Sequence, residues 1–227
     1  MILYPQAFIY DLDGVITDTA EFHFLAWKKL SDELGIPIDR RFNEQLKGIG
    51  RMDSLEHILK LNPSLLKLTH EEKIRLANQK NEYYLELVES INSSNILPGI
   101  ETLLNKNKEQ NIKIALGSAS KNALQVLDKL GLTKYFDYVV DASKVEKGKP
   151  DPETFTTAAD YLGIPYKKCI GIEDAAAGIE AINKADMFSV GVGKGEHLSH
   201  ADYLVGDTSE LIYEEIVNQY IERNIFL

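Results

Sequence analysis

The chain has 227 residues, a net charge of −10 and a single cysteine. That length holds one large domain, or a medium one with an insert, and acidic residues spread along the chain argue against a nucleic-acid partner. No apolar run is long enough to span a membrane, the opening MILYPQAFIY lacks the basic flank of a signal peptide, and one cysteine cannot form an internal disulfide, so a cytoplasmic protein is expected.

In chain order, the first element is QAFIY, a short apolar strand that ends in Asp11 and Asp13 with Gly14 directly after. A long stretch with helical periodicity and no strand-like run follows. AEFHFLAWKKLSDELG sets Phe22, Ala26, Leu30 and Leu34 on one face, with Gly35 as the stop. MDSLEHILKLN and HEEKIRLANQKNEYYLELVESI are helical too, the second with Ile74, Ala77, Leu85 and Val88 as its stripe. NSSNILPGI returns the chain to a regular alternation. There the strands IKIALGSAS, DYVVDAS, CIGIEDA, MFSVGVG and DYLVGD are separated by amphipathic helices, and TSELIYEEIVNQYIERN closes the chain. Such alternation predicts an α/β fold: a parallel sheet covered on both faces, residues 1–16 and 95–227, carrying an all-helical insert over 17–94 with its flanking hinges. Cys169 opens a strand and reads as a buried, inert thiol.

In a parallel α/β sheet, function collects beyond the carboxyl ends of the strands. Those ends carry Asp11 and Asp13, then Ser118, then Lys149 in EKGKPDP, then Glu173 and Asp174. Carboxylates suit Mg2+, while a lysine and a serine at the same point suit phosphate oxygens. The pattern points to phosphoryl transfer. Asp11 is the natural nucleophile, Asp13 the acid and base beside it, and Gly14 allows the sharp turn. Each residue also has a plain structural reading. Asp-x-Asp-Gly is a common turn, Glu173-Asp174 can cap a helix, Ser118 and Ser120 can be turn residues, and Lys149 can be a solvated lysine. Only their joint placement at successive strand ends favours chemistry.

DLDGVITD, LGSASKN, KGKPDP and GIEDAAAG together resemble the four motifs of the haloacid dehalogenase superfamily of phosphotransferases. The resemblance implies a Rossmann-like core under a mobile helical cap and dependence on Mg2+. It implies Asp11 as the phosphoryl-accepting nucleophile, Asp13 as acid/base, and Ser118 and Lys149 on the transferring phosphate. It further implies Asp11, Asp13, Glu173 and Asp174 around the metal, Asp13 through its backbone carbonyl. An aspartate at position 13 favours a phosphatase or mutase over a dehalogenase.

TAEFHFLAW, FNEQLKGIGRMDSL, the QKN of Gln79–Asn81 and SASKN resemble the β-phosphoglucomutase branch of that superfamily. This implies a small-molecule sugar-phosphate substrate, interconversion of β-glucose 1-phosphate and glucose 6-phosphate, and glucose 1,6-bisphosphate as activating intermediate; a sugar-phosphate phosphatase is the alternative. On this resemblance Arg51 clamps the phosphate that is not being transferred, with Lys121 and Asn122 at the same distal place, and Ala119 and Ser120 also bind substrate. Lys47, Gly48, Ser54 and Lys80 meet the sugar or its phosphate from the cap, and Thr19 and His23 sit near the hinge. Trp27 joins this set, although one turn from His23 it reads rather as a helix-packing residue; His23 reads equally either way. Gly50 stands where the family is expected to carry serine, which removes a hydroxyl from the cap loop. With no long heptad, a monomer is the default expectation.

Overall fold

The computed structural model describes residues 4–225; positions 1–3 and 226–227 of the expected core lie outside the described residues. Six parallel strands form one sheet: β1 (Ala7–Tyr10), β2 (Lys113–Leu116), β3 (Tyr138–Val139), β4 (Cys169–Glu173), β5 (Phe188–Val192) and β6 (Tyr203–Val205), in the order β3-β2-β1-β4-β5-β6. β1 is central, with Tyr10 opposite Leu116 on one side and Ile172 on the other. The order reverses at β1, and a crevice opens beyond the carboxyl ends at such a reversal. Asp11 and Asp13 stand there.

The pleat divides the core. Phe8, Tyr10, Ile114, Leu116, Ile170 and Ile172 face α5 (Ile100–Glu109), α6 (Ala123–Leu130) and α9 (Tyr213–Ile225). Ala7, Ile9, Ala115 and Cys169 face α7 (Glu153–Leu162) and α8 (Ala176–Lys184). Every residue of β1 is fully buried. A strand covered on both faces reads as an unbroken apolar run rather than an alternating one, as AFIY does. Cys169 is buried as expected, and burial pushes its thiol up to about 12.

The helical part comprises α1 (Ala20–Glu33), α2 (Arg40–Asn43), α3 (Arg51–Leu59) and α4 (His70–Val88), packed around Trp27, Leu30, Ile36, Leu55, Ile58 and Ala77. Thr69 and Glu72 form a reciprocal capping box at the start of α4. The chain leaves and re-enters the sheet region through two segments that lie side by side: Leu97 N–H donates to the Ile16 carbonyl at 3.0 Å, and the Thr17 hydroxyl donates to the Asn95 carbonyl at 2.8 Å.

Three local expectations are corrected. The buried stripe of α4 is Ala77, Lys80, Tyr84 and Val88, while Ile74 is exposed. The helix is turned so that a lysine and a tyrosine point inward, which apolar periodicity cannot foresee. On α1 the fully buried residues are Phe24, Ala26, Trp27, Leu30 and Ser31, with Phe22 and Leu34 only part-buried. The closing helix begins at Tyr213, because a separate 3-10 turn caps Thr208–Glu210 through the Asp207 carboxylate.

Candidate active site

The β1 strand hands Asp11 to the crevice with its backbone still in the sheet: Asp11 N–H donates to the Ile172 carbonyl at 2.9 Å. Asp11 Oδ2 accepts from the Asp13 backbone N–H at 3.0 Å, which fixes the turn between the two carboxylates. Gly14 follows with φ +81°, and a Cβ there would collide with the Asp174 carboxylate. Glycine is therefore required both by conformation and by the close approach of the third acid.

Lys149 is buried and bridges two acids, its Nζ donating to Asp11 Oδ1 at 2.6 Å and Glu173 Oε1 at 2.7 Å. The second Glu173 oxygen accepts from Ala175 N–H at 2.7 Å. Asp11, Glu173 and Asp174 each offer a carboxylate oxygen within 4.8 Å of the others. This crowding has an electrostatic signature. Burial raises Asp11 to about 7, against the pull of Lys149 and with the help of Glu173 and Asp13. Asp174 is pushed well above its ordinary range by burial, Glu173 and Asp11. Burial opposes the Lys149 charge, but Asp11 and Glu173 prevail and hold it as an ammonium. Two buried acids bonded to one ammonium, with part-buried Asp174 close by, lack positive charge, and an all-oxygen donor set of this kind fits Mg2+. Ser118 is buried at the end of β2, where its Oγ accepts from Ser120 N–H at 3.1 Å.

Asp13 faces the helical side. Thr19, at the start of α1, donates its hydroxyl to Asp13 Oδ1, and His23 Nε2 lies 3.7 Å from Asp13 Oδ2. Burial raises the Asp13 carboxyl, with Thr19, Lys80 and Lys149 pulling the other way. His23 stacks on Tyr84 at a centroid distance of 4.1 Å, and its Nδ1 is 2.6 Å from Lys80 Nζ. While Lys80 is charged its ammonium can only donate, so Nδ1 then accepts and Nε2 carries the proton, 3.7 Å from Asp13 and outside hydrogen-bond reach. Burial, Lys80 and Arg51 together keep the imidazole neutral.

Lys80 sits over the Trp27 and Tyr84 rings, 4.8 and 5.1 Å from their centroids, and burial lowers it from 10.5 to about 7, aided by Arg51. The unfolded chain holds this proton up to pH 10.5, so between about 7 and 10.5 it binds more protons than the folded chain. Stability conferred through this site therefore rises with pH across that window. Lys80→Met is expected to flatten the climb of Tm from pH 7 to 9 and to stabilise the chain at pH 7 by about 1 kcal/mol, roughly 2–4 °C. Thermal melts of both proteins across that range check it.

One cavity joins the two halves. Its walls include Asp11, Asp13 and Asp174 from the sheet side, Ala119, Ser120 and Lys121 from the loop after β2, and His23, Trp27, Lys47, Gly48, Arg51, Ser54 and Lys80 from the helices. Trp27 thus serves both readings, packed in the helical cluster and lining the cavity. Gly48, at φ +73°, brings the cap loop against the sheet side, since a Cβ there would lie 3.1 Å from the Ala175 methyl. Lys47 pairs with Glu44 at 3.1 Å. Gly50 is the N-cap of α3 in ordinary extended geometry, φ −64° and ψ 154°, so the backbone does not require glycine and the helix simply lacks a side-chain cap. Lys149, Glu173, Ser118 and Thr19 stand behind this wall, reaching the cavity through Asp11, Asp13 and Ser120.

Asn81 escaped sequence reasoning as a functional residue. Its Oδ1 accepts from Arg51 Nη2 and from Asn122 Nδ2, each at 2.8 Å, joining residues 30 and 41 positions apart in sequence. Tyr84 was missed as well, and the only available signal was its one-turn spacing from Lys80.

Residues 5–186 match the haloacid dehalogenase-like hydrolase family. The chain belongs to that family. A β-phosphoglucomutase from Bacillus subtilis (strain 168) is 46% identical over 220 residues, covering 97% of each chain. A crystal structure of β-phosphoglucomutase from Clostridium difficile superposes with a TM-score of 0.95 at 52% identity, covering 97% of this chain and 99% of that one. A phosphorylated carbohydrates phosphatase from Thermotoga maritima is 31% identical over 190 residues, covering 80% of this chain and 82% of its own. Haloacid dehalogenase-like phosphotransferases use Mg2+, and the acidic cluster here is of the kind that holds it. Among the described residues no helix is long and apolar enough to cross a membrane.

Proposed function

We propose that this protein is a Mg2+-dependent phosphoglucomutase that interconverts β-D-glucose 1-phosphate and D-glucose 6-phosphate through an aspartyl-phosphate on Asp11 and enzyme-bound β-glucose 1,6-bisphosphate. The observation that carries the reading is the pairing of two phosphate-competent ends in one cavity. Asp11, with Lys149 bonded behind it, marks one end; Arg51 and Lys121 mark the other, with Asn122 joined to Arg51 through Asn81. A phosphatase needs only the first. Similarity to β-phosphoglucomutases at 46% and 52% identity, against 31% for the carbohydrate phosphatase, supports the mutase in the same direction.

In the proposed cycle, Asp13 takes the proton of the sugar 6-hydroxyl as that oxygen attacks phosphorus on Asp11, and the aspartyl O–P bond breaks. The bisphosphate turns over between the two ends. Asp11 then attacks the 1-phosphate, the bond from phosphorus to the C1 oxygen breaks, and Asp13 returns the proton to that oxygen. Mg2+, when held by Asp11, Glu173, Asp174 and the Asp13 carbonyl, supplies neutralising charge at the transferring phosphoryl group. Ser118 and Lys149 orient the phosphoryl oxygens. Thr19 and His23 couple Asp13 to the helices, so that acid and base are in place only when the helical part, residues 17–94, is closed over the sheet. Closure excludes water, which would otherwise hydrolyse the aspartyl-phosphate.

Arg51→Ala tests the distal end. Mutase flux is expected to fall by about 10²-fold, the worth of a lost charge-assisted phosphate contact, while hydrolysis of acetyl phosphate, which has no second phosphate, changes little. Equal losses in both assays would remove the distal clamp and leave the phosphatase reading.

A further inference from the structure

One polar side chain in the cavity wall has no part in the cycle above. Asn43 ends α2 on the helical side and lines the cavity that also holds Asp11 and Arg51. Its backbone is committed: Asn43 N–H donates to the Asp39 carbonyl at 3.0 Å, and Asp39 caps the helix by accepting from Phe42 N–H at 2.8 Å. Its side chain is not. Asparagine is among the favoured helix caps, and Asn43 starts the 3-10 turn Glu44–Leu46, yet its amide makes no cap hydrogen bond. Among the described residues the amide has no other hydrogen-bond partner either. Asn43 is nonetheless only 8% exposed, and it shares the cavity wall with Trp27 and Leu46, which are buried too. An amide so deeply buried is costly unless something hydrogen-bonds it, and this one opens onto the cavity.

We propose that Asn43 is a specificity-determining residue whose amide hydrogen-bonds the sugar 3-hydroxyl in both orientations of the bisphosphate. The inference rests on the mutase reading above. A side-chain amide carries an acceptor and two donors, which matches a hydroxyl, itself both donor and acceptor. A phosphate dianion only accepts, and Lys47 and Arg51 in the same wall are the residues suited to it. Turnover of the bisphosphate selects the hydroxyl. Exchanging the C1 and C6 ends is a half-turn about the line through C3 and the ring oxygen. C2 and C4 trade places, whereas C3 returns to where it was. A single fixed amide therefore serves both orientations only at the 3-hydroxyl. A sugar without that hydroxyl leaves the buried amide unpaired, which is how such a site rejects it.

The test is isomerisation of β-glucose 1-phosphate and of its 2-, 3- and 4-deoxy analogues by the wild type, Asn43→Leu and Asn43→Ala. Acetyl phosphate serves as the phosphoryl donor, and products are followed by phosphorus NMR. Leucine keeps the volume of the side chain and alanine does not, while both remove its hydrogen bonds. The wild type is expected to lose about tenfold or more in kcat/KM when the 3-hydroxyl is removed. Each variant is expected to lose about tenfold on the parent sugar, yet to turn over the parent and the 3-deoxy sugar within about twofold of each other. These comparisons are ratios between sugars on one preparation, so a fraction that fails to fold does not alter them. A packing role alone predicts that both sugars fall alike and that the preference for the 3-hydroxyl persists in the variants. That result overturns the inference, as does a wild type indifferent to the 3-hydroxyl, an undiminished rate on the parent sugar in both variants, or a preference lost at the 2- or 4-hydroxyl instead. Failure of the mutase reading looks different: the wild type then releases phosphate and isomerises no sugar, and the argument for the 3-hydroxyl falls with it.

Discussion

Asp11→Asn is expected to abolish phosphoryl transfer, lowering turnover by about 10⁵-fold or more, the scale on which loss of a covalent nucleophile acts. The amide keeps the shape of the side chain but cannot form the aspartyl-phosphate. It also removes the negative charge that Lys149 meets at 2.6 Å, leaving the ammonium to Glu173 alone. Because burial and the neighbouring acids push the Asp11 carboxyl up to about 7, the uncharged amide is not expected to unfold the chain, and Tm should change little. Mass spectrometry of acid-quenched enzyme after exposure to glucose 1,6-bisphosphate provides the check. The wild type should carry one added phosphoryl group and the variant none. A phosphorylated variant would place the nucleophile elsewhere.

Asp13→Asn is expected to lower mutase turnover by about 10³-fold, within the range that a positioned acid and base supplies. Burial holds the Asp13 carboxyl above its ordinary value, so in the closed site it can keep a proton to give to a leaving alkoxide. A sugar oxygen is a poor leaving group and needs that proton, whereas acetyl phosphate departs as an acetate that does not. Phosphorylation of Asp11 by acetyl phosphate should therefore survive in Asp13→Asn. The phosphoenzyme should then accumulate, because no base remains to activate the attacking hydroxyl. Rapid-quench measurement with both donors separates the steps. Equal losses for sugar phosphate and acetyl phosphate would mean that Asp13 acts by holding the site together rather than by moving a proton.

The sheet was legible because each buried strand is a short apolar run closed by Gly, Asp or Ser, and strand ends in such a sheet converge by topology alone. The motifs around Asp11, Ser118, Lys149 and Glu173-Asp174 followed from that rule, and the structure brings the side chains of Asp11, Lys149, Glu173 and Asp174 together, with Ser118 buried at the end of the neighbouring strand β2. Their catalytic roles rest on the family resemblance and await the experiments above. What stayed hidden depended on how helices turn against one another. Lys80 interrupts no pattern that a hydropathy window detects, yet it lies buried beside His23 and over the Trp27 and Tyr84 rings. Apolar spacing named Ile74 as part of the α4 stripe, but the helix gives that face to solvent and turns Tyr84 inward. Asn81 could not be found from spacing, since its partners come from another helix and from a loop of the sheet side. A side-chain amide carries no periodic signal.

The central claim is most directly tested by supplying purified protein with Mg2+ and β-glucose 1-phosphate, primed with a trace of glucose 1,6-bisphosphate, and measuring glucose 6-phosphate and free phosphate in parallel. Rapid formation of glucose 6-phosphate with little phosphate released is the predicted result. Release of phosphate without isomerisation would contradict it, and would make the protein a sugar-phosphate phosphatase in which Arg51 and Asn122 hold no second phosphate.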